Sequence, residues 1–342
     1  MSFSRTKRES IKKYILEKIT EGASDLVPKT TKVFSVTPNT VYRYLRELVN
    51  DNVIRKDGKK YSLEREGYIY TLQLSEIAPD SEDKVYEQFL EPVIKSLPDN
   101  VIQMWNYCFT EMFNNVIDHS EATKVSIYIV KDYMNTSVLI DDDGVGIFNK
   151  IRDHYNFDSI EDAIMELFKG KLTTDTDHHS GEGVFFSSRI MDVFAAISSG
   201  KIFSHTEFSE LLEDLNTFPS LRDIKAFQVG TAIMMKLSNF SKKTSKEVFD
   251  QYANDDGGFT KTRIPIKNIY PIYPVSRSQA KRLAHRLESF QEVELDFDGV
   301  SEIGQGFAHE LFVVFQKQHP EVKLIPFNAS LDIQRMINHV LN

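Results

Sequence analysis

Three short polar motifs in a fixed order constrain this chain more than any other feature: EMFNNVIDHS (Glu111–Ser120), DDDGVGI (Asp141–Ile147) and HHSGEGVFF (His178–Phe186). On a 3.6-residue helix, Glu111, Asn115 and Asp118 fall at i, i+4 and i+7 and share one narrow stripe. Phe109, Met112, Phe113, Val116 and Ile117 cover the broader side. Such a stripe either faces solvent or lines a cavity. A cavity Glu needs water, a metal or a donor beside it, because burying it unpaired costs several kcal/mol. A Glu next to a lone water is arranged as a general base. An Asn one turn on offers a neutral oxygen suited to a magnesium ion that keeps waters and phosphate oxygens.

The second motif follows two predicted strands, Val125–Val130 and Ser137–Ile140, joined by Lys131–Thr136. Gly144 and Gly146 permit a sharp turn that brings backbone close to a ligand. The segment is either an ordinary acidic turn or the rim of a site. A calcium loop is excluded, because the oxygen ligands such a loop needs downstream are missing. A carboxylate at the turn can accept a hydrogen bond from an amino group such as that of adenine. Ahead of the glycine pair of the third motif, Lys169–His179 is polar and reads as a mobile lid. Gly181-Glu182-Gly183 then opens an apolar helical segment, where backbone N–H groups can meet phosphate oxygens.

The order E-x-x-x-N-x-x-D-H, D-x-G-x-G, lid, G-x-G resembles the GHKL ATPase superfamily, which includes type II topoisomerases, mismatch-repair ATPases, histidine kinases and anti-sigma-factor serine kinases. The resemblance spans roughly residues 83–238. It implies an α/β sandwich binding ATP and Mg2+ between a mixed sheet and the lid. It assigns Glu111 as general base and Asn115 as magnesium ligand, with Asp118 and His119 on the same helix at the nucleotide. Asp143 would read the adenine amino group, with Gly144 and Gly146 shaping that end. Gly181 and Gly183 would contact phosphates. Phe227-Gln228-Val229-Gly230-Thr231-Ala232 resembles the strand whose Gly-Thr helps bind adenine, which adds Thr231. His119, four residues past Asn115, matches the anti-sigma kinases in particular.

The flanking segments suggest what such a site would control. Residues 1–70 hold 15 Lys and Arg against 9 Asp and Glu, within a chain of 342 residues and net charge -9. A basic end on an acidic protein points to a polyanion partner for that end alone. Two helices (Glu9–Thr20, Asp25–Phe34), a third from Pro38 to about Asn50, and a Val53–Leu63 hairpin with an Asp-Gly turn resemble a winged helix-turn-helix. Asn39, Tyr42, Arg43 and Arg46 would face a major groove, and Arg55, Lys56, Lys59 and Lys60 would meet phosphates. A protein–protein module of the same shape is the alternative.

From about residue 260 strands and helices alternate, which implies an α/β layer with parallel neighbours. ELDFDGVSEIGQGFAHELF resembles the strand–turn–helix of STAS-like domains, whose anti-anti-sigma members accept phosphate on a Ser near the helix start. Here that position falls on Ile303 or Gly304, with Ser301 nearby but offset.

The expected fold is therefore multidomain α+β. It comprises a winged helix at 1–70, a GHKL sandwich at 83–240 and a STAS-like α/β domain at 260–342. The leading functional expectation is an ATP-dependent switch with a DNA-binding output. The alternatives are an anti-sigma-type serine/threonine kinase acting on a STAS-like domain, or a DNA-binding regulator that uses ATP only structurally. A homodimer and a protein partner at the STAS-like domain are further expectations. One cysteine, Cys108, and no apolar run of membrane-spanning length fit a reducing cytoplasm.

Overall fold

The helix-forming periodicity of the N-terminal residues is realised as three helices around one small core. In the computed structural model, which describes residues 3–79, 81–172, 181–218, 221, 227–270 and 272–342, these are Arg5–Thr20, Leu26–Phe34 and Pro38–Asn50. They bury Ile11, Ile15, Leu16, Val41, Tyr44, Leu45 and Leu48 together. Thr37 caps the third helix and Pro38 opens it, where a missing N–H and a fixed φ cost nothing. Strands β1 (Ile54–Asp57) and β2 (Lys60–Leu63) form the hairpin. Asp57 pairs with Lys60, so Gly58 and Lys59 are the turn residues, and Gly58 supplies the positive φ of 58°.

Strand β3 (Glu66–Gln73) corrects the expected domain boundary. It pairs along its whole length with β4 (Lys124–Lys131), so a stretch assigned to the first domain and a linker belongs to the middle sheet. Tyr68, Tyr70 and Leu72 alternate with exposed Gly67, Ile69 and Thr71, the signature of a strand with one covered face. Among the described residues the sheet has six strands in the order β3-β4-β5-β8-β6-β7, antiparallel throughout. The remaining four are β5 (Asn135–Asp142), β6 (Val193–Ser198), β7 (Lys201–Ser204) and β8 (Thr231–Ser238).

One face of this sheet (Val125, Ile127, Ile129, Val138, Ile140, Ile233, Met235) packs on helices Asp99–His119 and Gly183–Ile190. The other face (Leu139, Ala195, Ile197, Ala232, Met234) packs on helix Phe208–Leu215. Burial on both faces explains the near-continuous apolar run of β8. The helix at 82–94 takes one π turn, Tyr86–Leu90, immediately before Pro92, whose ring and missing N–H break the regular ladder.

The C-terminal sheet is parallel, as the alternation predicts, in the order β11-β10-β9: β9 is Lys261–Pro265, β10 Glu292–Asp296 and β11 Lys323–Phe327. Helices Arg277–Ala284, 305–318 and Leu331–Leu341 cover it, and Met165 of the middle domain enters its core.

Candidate functional site

Helix Asp99–His119 is fixed by burying Trp105, Phe109, Met112 and Phe113. Asn100 also donates to the carbonyls of Ser241 (2.9 Å) and Lys243 (2.8 Å). So anchored, it presents Glu111, Asn114, Asn115 and His119 to a cavity of about 230 Å³. Asp118 does not belong to this lining. It is exposed, and the stripe continues from Asn115 to His119 at i+4 rather than to Asp118 at i+3.

The second motif closes on the end of this helix. Val145 N donates to Ser120 O at 2.9 Å, and a Cβ on Gly144 would lie 2.0 Å from that same carbonyl oxygen. Only glycine permits this approach. Gly146, at φ +86°, packs against Ser198, where a Cβ would sit 2.5 Å from Oγ.

The carboxylate that faces the cavity is Asp142, not Asp143. Asp142 ends β5 opposite Thr231, the first residue of β8, and its Oδ1 accepts from Gly144 N (2.8 Å) and Thr231 N (3.3 Å). Burial pushes its carboxyl up to about 6, with the two N–H donors opposing the shift. Asp143 points the other way. It accepts from Thr123 N and Oγ1 (both 2.8 Å) and from Lys124 N (3.0 Å), tying the start of β4. Strand alternation forces the two carboxylates apart. The signal was in the motif, because the leading Asp of D-x-G-x-G is Asp142. Thr231 lines the cavity too, and its Oγ1 accepts from Ile147 N at 2.9 Å. That bond pins helix Ile147–Tyr155, which adds Ile147, Lys150 and Ile151 to the wall.

Gly181, Glu182 and Gly183 complete the lining. Gly183 opens helix Gly183–Ile190 against Glu111, since a Cβ there would come 2.2 Å from Glu111 Oε2. The Glu111 carboxylate thus lies at the positive end of that helix. The neighbouring Tyr107 hydroxyl is pushed far up, first by burial and then by Glu111. Burial likewise raises the Cys108 thiol, which leaves it inert. Asn114, Lys150, Leu172 and Glu182 are cavity residues that the sequence did not single out. Lys150 also reaches Glu121 at 3.0 Å. Of the expected lid, residues 173–179 lie outside the described residues.

The donor set suits a hard cation held largely by waters and a ligand. Asn115 and Glu111 face one cavity, and among the described residues no group of three or more His, Cys, Asp or Glu could hold a metal unaided. In the N-terminal module, Asn39, Tyr42, Arg43, Arg46, Arg55, Lys56, Lys59 and Lys60 are all exposed. Arg55 lies apart from the others. It bonds Ser62 Oγ (3.0 Å) and lines a gap toward the middle sheet with Asp132, Asp214 and Lys236.

Comparison with known proteins identifies one region. The family model described as a STAS-like domain of unknown function (DUF4325) matches residues 279–334, the segment containing β10, β11 and the helices around them. No curated protein matches the chain. The protein is therefore a mixed α/β multidomain chain with a C-terminal STAS-like domain. Among the described residues, no helix is long and apolar enough to cross a membrane.

Proposed function

We propose that the middle domain is a GHKL-like site for an adenine nucleotide with Mg2+, and that its output is delivered to a STAS-like domain. The observation that carries this reading is convergence. Segments up to 120 residues apart in sequence place Glu111, Asn115, His119, Asp142, Gly181, Gly183 and Thr231 around one cavity. Asp142, backed by Thr231, offers an anionic acceptor for the adenine amino group. The N-terminus of the Gly183 helix offers N–H groups to phosphate oxygens. Asn115 would hold Mg2+, which supplies charge neutralisation at the phosphates.

In this reading Glu111, which lines the cavity, takes a proton from the attacking oxygen. In phosphoryl transfer, an acceptor hydroxyl oxygen bonds the γ-phosphorus as the bond to the β–γ bridging oxygen breaks. The hydroxyl proton goes to Glu111, and ADP leaves. The STAS-like family match favours this output over a DNA-binding one, because such domains are the acceptors in the kinases that His119 resembles. Ile303 is buried and Gly304 packs on the Val275 carbonyl, so the usual acceptor position carries no hydroxyl. Ser301 is exposed in the same turn. In this reading the acceptor is a hydroxyl offset from that position, with Ser301 the nearest, or one on a partner protein.

A second reading, a DNA-binding output, rests on the exposed basic set from Arg43 to Lys60. The deciding experiment incubates the full chain with γ-labelled ATP and Mg2+. Label on protein, located by peptide mapping and absent from Glu111→Ala, is expected. Free phosphate released without labelled protein favours the switch with DNA output. A chain that binds no adenine nucleotide rejects both.

A further inference from the structure

Helix Ile160–Lys169 and the residues after it carry two cavity-lining side chains, Leu167 and Leu172. Between these two, the backbone and side chains are held by the C-terminal domain. Lys169, fully buried, bonds Glu166 Oε1 (2.6 Å) and the carbonyls of His285 (2.8 Å) and Arg282 (3.3 Å). Arg286 donates to Lys171 O at 2.6 Å and reaches Glu166 Oε2 at 3.4 Å. His285 Nδ1 lies 3.3 Å from Glu166 Oε1. In return, Lys171 Nζ donates to Ser289 O at 2.8 Å, over the Phe290 ring. Thr262 Oγ1 donates to Lys169 O at 2.7 Å.

Three features say this contact does more than glue two domains. A buried ion pair is a weak stabiliser compared with apolar packing of the same volume, so its value lies in fixing geometry. Arg286 adopts φ 62°, a conformation that costs a non-glycine residue free energy unless its surroundings demand it. The held stretch also leads straight to the cavity. Leu172 N donates to Gly181 O at 3.1 Å, and a Cβ on Gly181 would lie 2.5 Å from the Leu172 carbonyl carbon. Residues 170–172 thus set the position of the glycine turn that lines the cavity with Glu111.

We propose that Arg286 is a positioning residue of the nucleotide site. Supplied by the C-terminal domain, it fixes residues 170–172 and through them Gly181, so that the state of the STAS-like domain governs nucleotide affinity. This rests on the nucleotide reading above. Coupling between sites of this kind changes affinity by about 5–150-fold.

The test measures Mg2+–ATP affinity and the exchange of the Leu172 amide hydrogen in wild type, Arg286→Ala and Arg286→Lys. The expected result is affinity weakened about tenfold and faster Leu172 exchange in Arg286→Ala, with partial recovery of both in Arg286→Lys. If Arg286→Ala does not fold, Arg286→Met, which keeps an unbranched stem and loses the donors to Lys171 O and Glu166, is read the same way. Wild-type binding with unchanged affinity and unchanged Leu172 exchange in the variant overturns the positioning role and leaves the nucleotide reading intact. No nucleotide binding by wild type overturns the nucleotide reading and with it this role. Leu172 exchange then reports only whether Arg286 holds the stretch.

Discussion

The middle domain meets its two neighbours by different physics. Its junction with the N-terminal module joins an apolar contact to a polar gap and is remote from the cavity. Met134, in the β4–β5 turn, and Phe240 pack into the three-helix core, Lys13 lies over the Phe240 ring, and a polar gap of about 340 Å³ remains beside them. β5 separates Met134 from Asp142, roughly 27 Å at about 3.4 Å per residue. The junction with the STAS-like domain is charged, buried and one or two residues from the cavity wall. Apolar packing tolerates small shifts, whereas a buried Lys–Glu pair with carbonyl partners holds only in one arrangement. The C-terminal junction can therefore transmit a change of state, and the N-terminal one mainly attaches its module.

Four substitutions and a change of pH test this contrast, the largest effect first. Lys169→Ala leaves Glu166 buried without its closest partner and is expected to cost about 3–5 kcal/mol in denaturant unfolding. A loss below about 1 kcal/mol would make the pair no more important than a surface one. Met134→Ala opens a cavity at the other junction and should cost about 2–3 kcal/mol. It should leave nucleotide affinity unchanged, and a parallel loss of affinity would erase the distinction between the junctions.

Asp142→Asn should weaken nucleotide binding by about 2 kcal/mol, the worth of a hydrogen bond to a charged group, as measured by calorimetry. Asp143→Asn should loosen the start of β4 with little effect on binding, and the reverse ranking would restore Asp143 to the site. The smallest effect is on pH. Asp142, with its carboxyl raised to about 6 by burial, accepts more strongly from a ligand when ionised. Affinity should hold above pH 7 and fall about tenfold by pH 5. The unliganded fold has the opposite sign, since the cost of burying the charge disappears as the pH drops through 6. Asp142→Asn should flatten the dependence of affinity and only reduce that of the fold, because burial also raises Asp141 to about 6.

Much of the fold was legible because local rules and tertiary packing agree. The Val101–Ser120 helix, the β4–β5 pair, the basic hairpin and the C-terminal alternation all follow from periodicities that burial then satisfies. β3 was missed because its one covered face gives only three alternating apolar positions, Tyr68, Tyr70 and Leu72, after a run of turn-like polar residues. In the candidate site, the glycines could be read as necessary. The D-x-G-x-G spacing already marked Asp142 over Asp143, whereas which end-of-helix residue faces the cavity could not be read as securely, since Asp118 and His119 are only about 100° of helix turn apart.

The sequence alone determined the elements and motif order, because helix and strand periods and glycine conformations are local properties. Only the tertiary structure decided that Lys169 and Arg286 belong with the cavity. Their partners lie more than 110 residues away, and no short-range pattern encodes which carbonyl a buried cation will meet.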